Sequence, residues 1–100
     1  MQIGFRTNKL ENCFASYKLA RRTWGDEVAR RYIQRVGLIQ AAKDIAEVCK
    51  LPGLKCHPLK GDRQGEYAAR LTGFCRLIFT LQGEQLEIAM IEEVSKHYDD

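Results

Sequence analysis

The chain has 100 residues, of which 45% are hydrophobic and 29% charged, and its formal net charge is +3. This is ordinary globular composition, and we expect one domain over residues 1–100 with no room for a separate cofactor domain. No apolar run approaches the ~18 residues of a membrane span, and the N-terminus lacks a signal peptide's apolar stretch, so the sequence predicts a cytoplasmic protein with no membrane contact.

The N-terminal half has helical periodicity after one short strand. The strand is predicted over residues 2–6. A helix is then predicted from Asn8 to Gly25, because Asn8 and Glu11, three residues later, match a capping box and Gly25 can end the helix. Asp26 is expected to cap a second amphipathic helix. A third, short helical turn, with Asp44 as its cap, is predicted over residues 45–49.

The C-terminal half alternates apolar and polar residues. Strands are predicted over residues 66–71, 75–81 and 86–90, separated by tight glycine turns, which indicates an antiparallel meander. The fold class is therefore α+β, with two N-terminal helices packed on one face of a small antiparallel sheet. The same alternation places Arg70 and Arg76 on the face that the helices leave open.

The loop between the two halves concentrates titratable and cationic side chains. Residues 56–65 include His57, Lys60 and Arg63, together with one proline and two glycines. Imidazole suits proton transfer near neutral pH, and cations offset charge on a phosphate. A histidine packed at a strand end and a solvated basic hairpin loop are the alternatives.

Arg76 lies between apolar residues of a predicted strand, where a charged side chain needs a partner or an open face. A guanidinium can bind a phosphate through two parallel hydrogen bonds. The alternative is a cross-sheet salt bridge to Glu66 or Glu87. The tail adds His97 and Tyr98 directly after the last strand, although a frayed terminus is the common case for such residues.

The distribution of charge favours a polyanionic partner. Basic residues predominate up to residue 83, whereas residues 84–100 hold six carboxylates and one lysine. A solvated, mildly basic surface accounts for the net charge equally well. The four cysteines form no CxxC pair and the two histidines are far apart, so we predict free thiols, no metal and no cofactor.

These residue types fit one reaction, the metal-independent cleavage of RNA. In it the 2′-hydroxyl attacks the neighbouring phosphate, which needs a base, an acid for the leaving 5′-oxygen, and cations for the additional phosphate charge. The histidines, the tyrosine, the lysine and the arginines can fill those roles, and the need for a 2′-hydroxyl restricts the substrate to RNA.

Two segments carry a family resemblance. Residues 51–67, LPGLKCHPLKGDRQGEY, resemble the central motif of HigB-type toxins in the RelE/ParE superfamily, and residues 75–79, CRLIF, are similar to the arginine-bearing strand that follows it there. The resemblance extends over nearly the whole chain. It departs from the pattern at the end, where Lys96-His97-Tyr98 stands in place of the frequent Asp-Tyr-His.

The resemblance implies a RelE-like fold and the toxin of a type II toxin–antitoxin pair, a ribosome-dependent endoribonuclease that cleaves mRNA during translation. The implied partners are mRNA on the ribosome and a cognate HigA-like helix-turn-helix antitoxin, with operator DNA bound only through the toxin–antitoxin complex. The alternative within the superfamily is a non-enzymatic, ParE-like toxin that poisons DNA gyrase. The expected catalytic residues are His57, Lys60, Arg76, His97 and Tyr98, and the expected further RNA-binding residues are Lys55, Arg63 and Arg70.

Overall fold

The computed structural model describes residues 1–96. Its elements in chain order are β1 (Gln2–Phe5), α1 (Asn8–Ala15), α2 (Tyr17–Trp24), α3 (Asp26–Ala41), α4 (Ile45–Lys50), β2 (His57–Pro58), one 3₁₀ turn (Gly61–Arg63), β3 (Glu66–Arg70), β4 (Cys75–Gln82) and β5 (Ile88–Lys96). The predicted α+β class, with helices on one face of a sheet, is confirmed.

The sheet has five strands in the order β1-β5-β4-β3-β2. The meander β3–β4–β5 is antiparallel as predicted, and β2 adds to its outer edge. The prediction of a wholly antiparallel sheet is wrong at the other edge, because β1 pairs in parallel with β5. Parallel neighbours need a long crossover connection, and here almost the entire chain supplies it.

The predicted first helix is two helices. Thr7, not Asn8, caps α1, because its hydroxyl accepts from the amide of Leu10 at 3.1 Å. Ser16 then interrupts the helix in an extended conformation and caps α2 by accepting from the amide of Leu19 at 3.2 Å. A serine that bonds its own backbone competes with helix continuation, and the chain turns at this point.

The later helix boundaries are closer to expectation. The prediction that Asp26 caps α3 is wrong, because the cap position is held by Gly25, with φ of +89°, and Asp26 is the first residue of the helix. Asp44 caps α4 as predicted, since its carboxylate accepts from the amide of Glu47 at 3.0 Å. Within residues 1–96 there is no helix with both the length and the apolar character needed to span a membrane.

The main core lies between the helices and one face of the sheet. Tyr32 of α3 is fully buried at its centre, where its hydroxyl donates to the carbonyl oxygen of Leu10 at 2.7 Å and its ring lies 4.6 Å from that of Trp24. Leu77 and Phe79 of β4 are buried in the same cluster. Because side chains alternate along a strand, the residues between them face the other side of the sheet.

That second face is partly covered by a small apolar cluster of Leu59, Ala68 and Ile78. Leu59 belongs to the loop that follows β2, and its amide donates to the carbonyl oxygen of Glu66 at 2.8 Å. The loop therefore lies against the second face of the sheet and leaves uncovered the end where β3 stops and β4 starts.

Candidate active site

Two arginines lie directly opposite each other at the uncovered end of the second face. Arg70, the last residue of β3, pairs with Arg76 of β4, and Arg76 in turn pairs with Ser95 of β5. Their strand neighbours Ala69 and Leu77 are in the main core, so both arginines project from the opposite side. The predicted orientation of Arg70 and Arg76 is confirmed by this register.

His57 lies in the next row of the same face. It pairs with Ala68, which pairs with Ile78, and directly opposed residues of adjacent strands project to the same side. Cys56, its neighbour in sequence, is buried in the main core. The register thus brings His57 from the loop and Arg70 and Arg76 from the hairpin onto one surface.

The imidazole of His57 has a defined orientation. Its Nδ1 lies 2.8 Å from the carbonyl oxygen of Lys55. A carbonyl only accepts, so in the neutral ring Nδ1 carries the hydrogen and Nε2 keeps its lone pair. Lys55 has φ of +47°, a conformation uncommon outside glycine, and this tight backbone turn directs its carbonyl toward the ring.

Arg76 is half-buried and anchored to the hairpin. Its Nη1 donates to the carbonyl oxygen of Thr72 at 2.7 Å and to that of Cys75 at 3.1 Å. These bonds draw the guanidinium back over the turn between β3 and β4. The turn itself is closed by Leu71 and Thr72, whose amides donate to the carbonyl oxygen of Cys75 at 3.0 and 3.2 Å.

Two further arginines, which the sequence did not single out, hold this hairpin from the helix side. Arg35 of α3 is only 8% exposed and donates from Nε to the carbonyl oxygen of Arg70 at 3.2 Å. Arg31, one helical turn earlier, donates from Nη1 to the carbonyl oxygen of Leu71 at 3.0 Å. Burial, and secondarily the charge of Arg31, lowers the pKa of Arg35. The spacing of four residues between Arg31 and Arg35, which places both on one side of a helix, was the signal in the sequence that could have identified them.

Lys60 and Arg63 belong to the loop that covers the middle of the second face. Lys60 is exposed and immediately precedes the 3₁₀ turn. Arg63 is held by two carboxylates, with Nε 2.6 Å from Glu66 and Nη2 3.0 Å from Glu93. These bonds tie the loop to β3 and β5, and the hydrogen bond to Glu66 raises the pKa of Arg63 further.

A β-bulge in β5 places two carboxylates on the second face. Ile78 pairs with Glu93 but Phe79 pairs with Ile91, so Glu92 is the extra residue. Its carboxylate accepts from the hydroxyl of Thr80 at 2.9 Å and lies 3.5 Å from Arg6. Bulges redirect side chains in this way. The face is therefore acidic around the bulge and cationic at the hairpin end.

The remaining predicted site residues are placed as follows. Lys55 is exposed beside His57. His97 and Tyr98 lie outside the described residues. The last described residue, Lys96, pairs with Cys75, so residues 1–96 end next to Arg76. Across those residues no three of His, Cys, Asp and Glu are grouped so that they could hold a metal ion.

All four cysteines are free thiols, and Cys56 and Cys75 directly precede His57 and Arg76 in sequence. Burial, with a smaller effect of the neighbouring Cys49 thiol, raises the pKa of Cys56. A cavity of about 240 Å³ lies between the first two helices and β5, and its lining includes none of the predicted site residues. Arg70 and Arg76, at the cationic end of the second face, are half-buried and lie outside this cavity.

Comparison with known proteins identifies the fold. No protein-family model and no curated protein matches the chain. Solved structures do: the YoeB/ParE toxin from Agrobacterium tumefaciens superposes with a TM-score of 0.59 at 20% identity, covering 98% of this chain and 100% of that one. A chain of the YoeB–YefM complex from Staphylococcus aureus superposes with a TM-score of 0.60 at 19% identity, covering 98% of this chain and 98% of that one.

YafQ from Escherichia coli strain BL21(DE3) gives a TM-score of 0.58 at 21% identity, over 95% of this chain and 91% of that one. YafQ is also among the matches as its complex with DinJ. Matches of this length at this identity show a shared fold. The fold expected from the resemblance to RelE/ParE toxins is therefore confirmed.

Proposed function

We propose that this protein is the toxin of a type II toxin–antitoxin pair and acts as a metal-independent, ribosome-dependent endoribonuclease on mRNA during translation. The observation that carries the proposal is the convergence of His57, Arg70 and Arg76 on one face of the sheet. The fold shared with YoeB and YafQ toxins supports the same function, as does the HPLKGDR motif, on which we assign the HigB type.

His57 is the general base in this proposal. Its Nδ1 hydrogen is engaged by the carbonyl of Lys55, so the free Nε2 lone pair can accept the proton of a ribose 2′-hydroxyl. The 2′-oxygen then attacks the adjacent phosphorus and the bond to the 5′-oxygen breaks. The products are a 2′,3′-cyclic phosphate and a 5′-hydroxyl, whose proton comes from His97 or Tyr98.

The cations stabilise the transition state. Arg76 binds the scissile phosphate, and its anchoring to Thr72 and Cys75 means that it needs little reorganisation as charge develops there. Lys60 approaches the same phosphate from the loop, and Lys55 and Arg70 extend the cationic surface along the RNA. Arg63, paired with Glu66 and Glu93, holds the loop in place. No step of this scheme draws on a metal ion.

The partner is a cognate antitoxin. The YoeB–YefM and DinJ–YafQ structures are complexes, and the latter is a toxin–antitoxin complex. By analogy a HigA-like helix-turn-helix protein binds and silences this chain in the cytoplasm, and the complex of the two proteins binds operator DNA.

The decisive experiment is cleavage of mRNA on purified translating ribosomes in the presence of EDTA. Lys60→Ala and Arg76→Ala are expected to abolish cleavage and growth arrest while leaving the protein folded. Lys18→Ala, which removes an equally exposed lysine from α2, is the matched control and retains full activity. Undiminished toxicity of both site variants would contradict the assignment of the active site.

A ParE-like toxin that acts on DNA gyrase without catalysis is the second candidate, because the Agrobacterium toxin is described by both names. The His/Lys/Arg cluster favours RNA cleavage, since a gyrase poison has no need of a general base. Induction of the chain in cells separates the two functions. Rapid loss of mRNA supports cleavage, whereas DNA-damage signalling with intact mRNA supports gyrase poisoning.

A further inference from the structure

Phe74, at the tip of the β3–β4 hairpin, is the most exposed large apolar side chain of residues 1–96. It is 76% exposed, compared with 53% for Leu86 in the turn at the other end of β4. Single apolar side chains on a surface are common and need no function. The surroundings of this ring distinguish it.

The hairpin that carries Phe74 has only positive charge. Residues 67–83 contain no aspartate or glutamate. Arg70 and Arg76 lie on its two strands, and Arg31 and Arg35 reach its backbone from α3. An exposed aromatic ring on a hairpin whose strands carry arginines is the combination that binds single-stranded nucleic acid, in which cations follow the backbone and rings stack on bases.

The backbone under the ring is held in place. The hydroxyl of Thr72 accepts from the amides of Phe74 and Cys75, at 3.3 and 3.2 Å. The hydrogen bonds from the amides of Leu71 and Thr72 to the carbonyl oxygen of Cys75 close the turn below them. The ring is therefore presented from a fixed base, which reduces the entropy lost when a ligand stacks on it.

Phe74 is two residues from Arg76 in the chain. Cys75, between them, is buried in the main core, whereas Phe74 is exposed. Residues two apart in extended backbone are about 6.5 Å apart. That separation is on the scale between the base and the phosphate of one nucleotide.

We propose that Phe74 stacks on a nucleobase next to the phosphate bound by Arg76, and so sets the position of the RNA on the protein. This inference rests on the proposed function as an RNA-cleaving toxin. An RNA strand offers both a phosphate for a guanidinium and a π face for the ring, and residues 67–83 carry no carboxylate that would repel it.

The test measures the affinity of the full chain for ribosomes programmed with mRNA that carries a 2′-deoxynucleotide at the mapped cleavage position. Phe74→Leu keeps the apolar bulk but removes the aromatic face, and Phe74→Tyr keeps the ring. Leu86→Ala is the control for loss of an exposed apolar side chain. Abasic nucleotides on either side of the cleavage position test whether one base couples to the ring.

Phe74→Leu is expected to weaken binding by about 5- to 150-fold, the range for loss of one base–aromatic stack. Phe74→Tyr and Leu86→Ala stay within about twofold of the unsubstituted chain. One abasic position weakens the unsubstituted chain by the same factor and leaves Phe74→Leu unaffected, because the stack is already absent.

Several results overturn the inference while the proposed function stands: cleavage with equal affinity for Phe74→Leu, no abasic position that couples to residue 74, or a loss confined to antitoxin binding. The last would identify Phe74 as a protein contact. If the unsubstituted chain neither binds programmed ribosomes nor cleaves mRNA, the proposed function fails, and the stacking role fails with it.

Discussion

Arg70 and Arg76 are direct cross-strand partners on the open face of the β3–β4 hairpin. Like charges placed directly opposite each other in an antiparallel pair destabilise it. The backbone around them is nevertheless reinforced by hydrogen bonds from Arg35, Arg31 and Arg76 itself. An anion such as phosphate, bound to both guanidinium groups, offsets the repulsion between them.

The repulsion leads to a prediction about stability. Arg70→Gln is expected to leave the free energy of unfolding of the free protein unchanged or to raise it by about 0.2–1 kcal/mol, because one of two opposed charges is removed. Chemical denaturation at low ionic strength measures the change. A marked loss of stability would mean that the Arg70 charge is already compensated in the free protein.

A second prediction concerns anions. Phosphate is expected to stabilise the unsubstituted protein more than chloride at equal ionic strength, because a bound anion stabilises the folded state by mass action. Arg70→Gln and Arg76→Gln should lose this difference, and Lys18→Gln should keep it. An identical phosphate effect in all four proteins would be the nonspecific effect of a surface-excluded salt.

Arg35 is predicted to support the site without touching the RNA. Arg35→Met removes a nearly buried donor to the carbonyl of Arg70 and is expected to lower the free energy of unfolding by about 1–3 kcal/mol. Arg22→Met, at an exposed position of α2, should change it by less than about 0.5 kcal/mol. Thermal and urea unfolding of the two variants check this difference.

His57 is predicted to act in chemistry rather than in folding. His57→Asn retains a polar group but provides no base, so single-turnover cleavage on ribosomes should slow by about 10²–10⁴-fold. The far-UV circular dichroism and melting temperature should be nearly those of the unsubstituted chain, because the imidazole is half-exposed. Loss of cleavage that parallels loss of folded protein would instead make His57 a structural residue.

The decrease in the free energy of unfolding at alkaline pH should reflect ionisation of the Cys56 thiol. Its pKa is raised in the folded state by burial, whereas in the unfolded chain the thiol ionises near its ordinary value of 9.0. The unfolded state therefore loses its proton first as the pH rises, and stability falls above about pH 9. Alkylation at pH 8 should modify the exposed Cys49 rapidly, and Cys56 only when the chain is denatured.

Local sequence patterns predicted the parts of the fold that depend on local order. The alternation in residues 66–81 identified the hairpin, and with it the orientation of Arg70 and Arg76, because in a strand the side-chain period is fixed at two. Asp44 was recognised as a helix cap from its position alone. Ser16 was not, because a serine inside an apolar-periodic segment can either continue a helix or cap the next one.

The rest depended on partners distant in sequence. Nothing in residues 2–6 distinguishes a strand that pairs in parallel from one that pairs antiparallel, and the partner of β1 begins at Ile88. Arg31 and Arg35 largely fall outside the apolar stripe and were assigned no role, yet both donate to the backbone of β3 and the turn. Arg63 was read as a cation for RNA, and its two carboxylate partners come from strands on either side of β4.

The position of β5 between β1 and β4 has a consequence for biosynthesis. Translation proceeds from the N-terminus, so the first strand to emerge must wait for the last one before it acquires a hydrogen-bonded neighbour. Contacts that span such a length of chain also form slowly. A nascent chain therefore cannot complete its five-stranded sheet until residues 88–96 have left the exit tunnel.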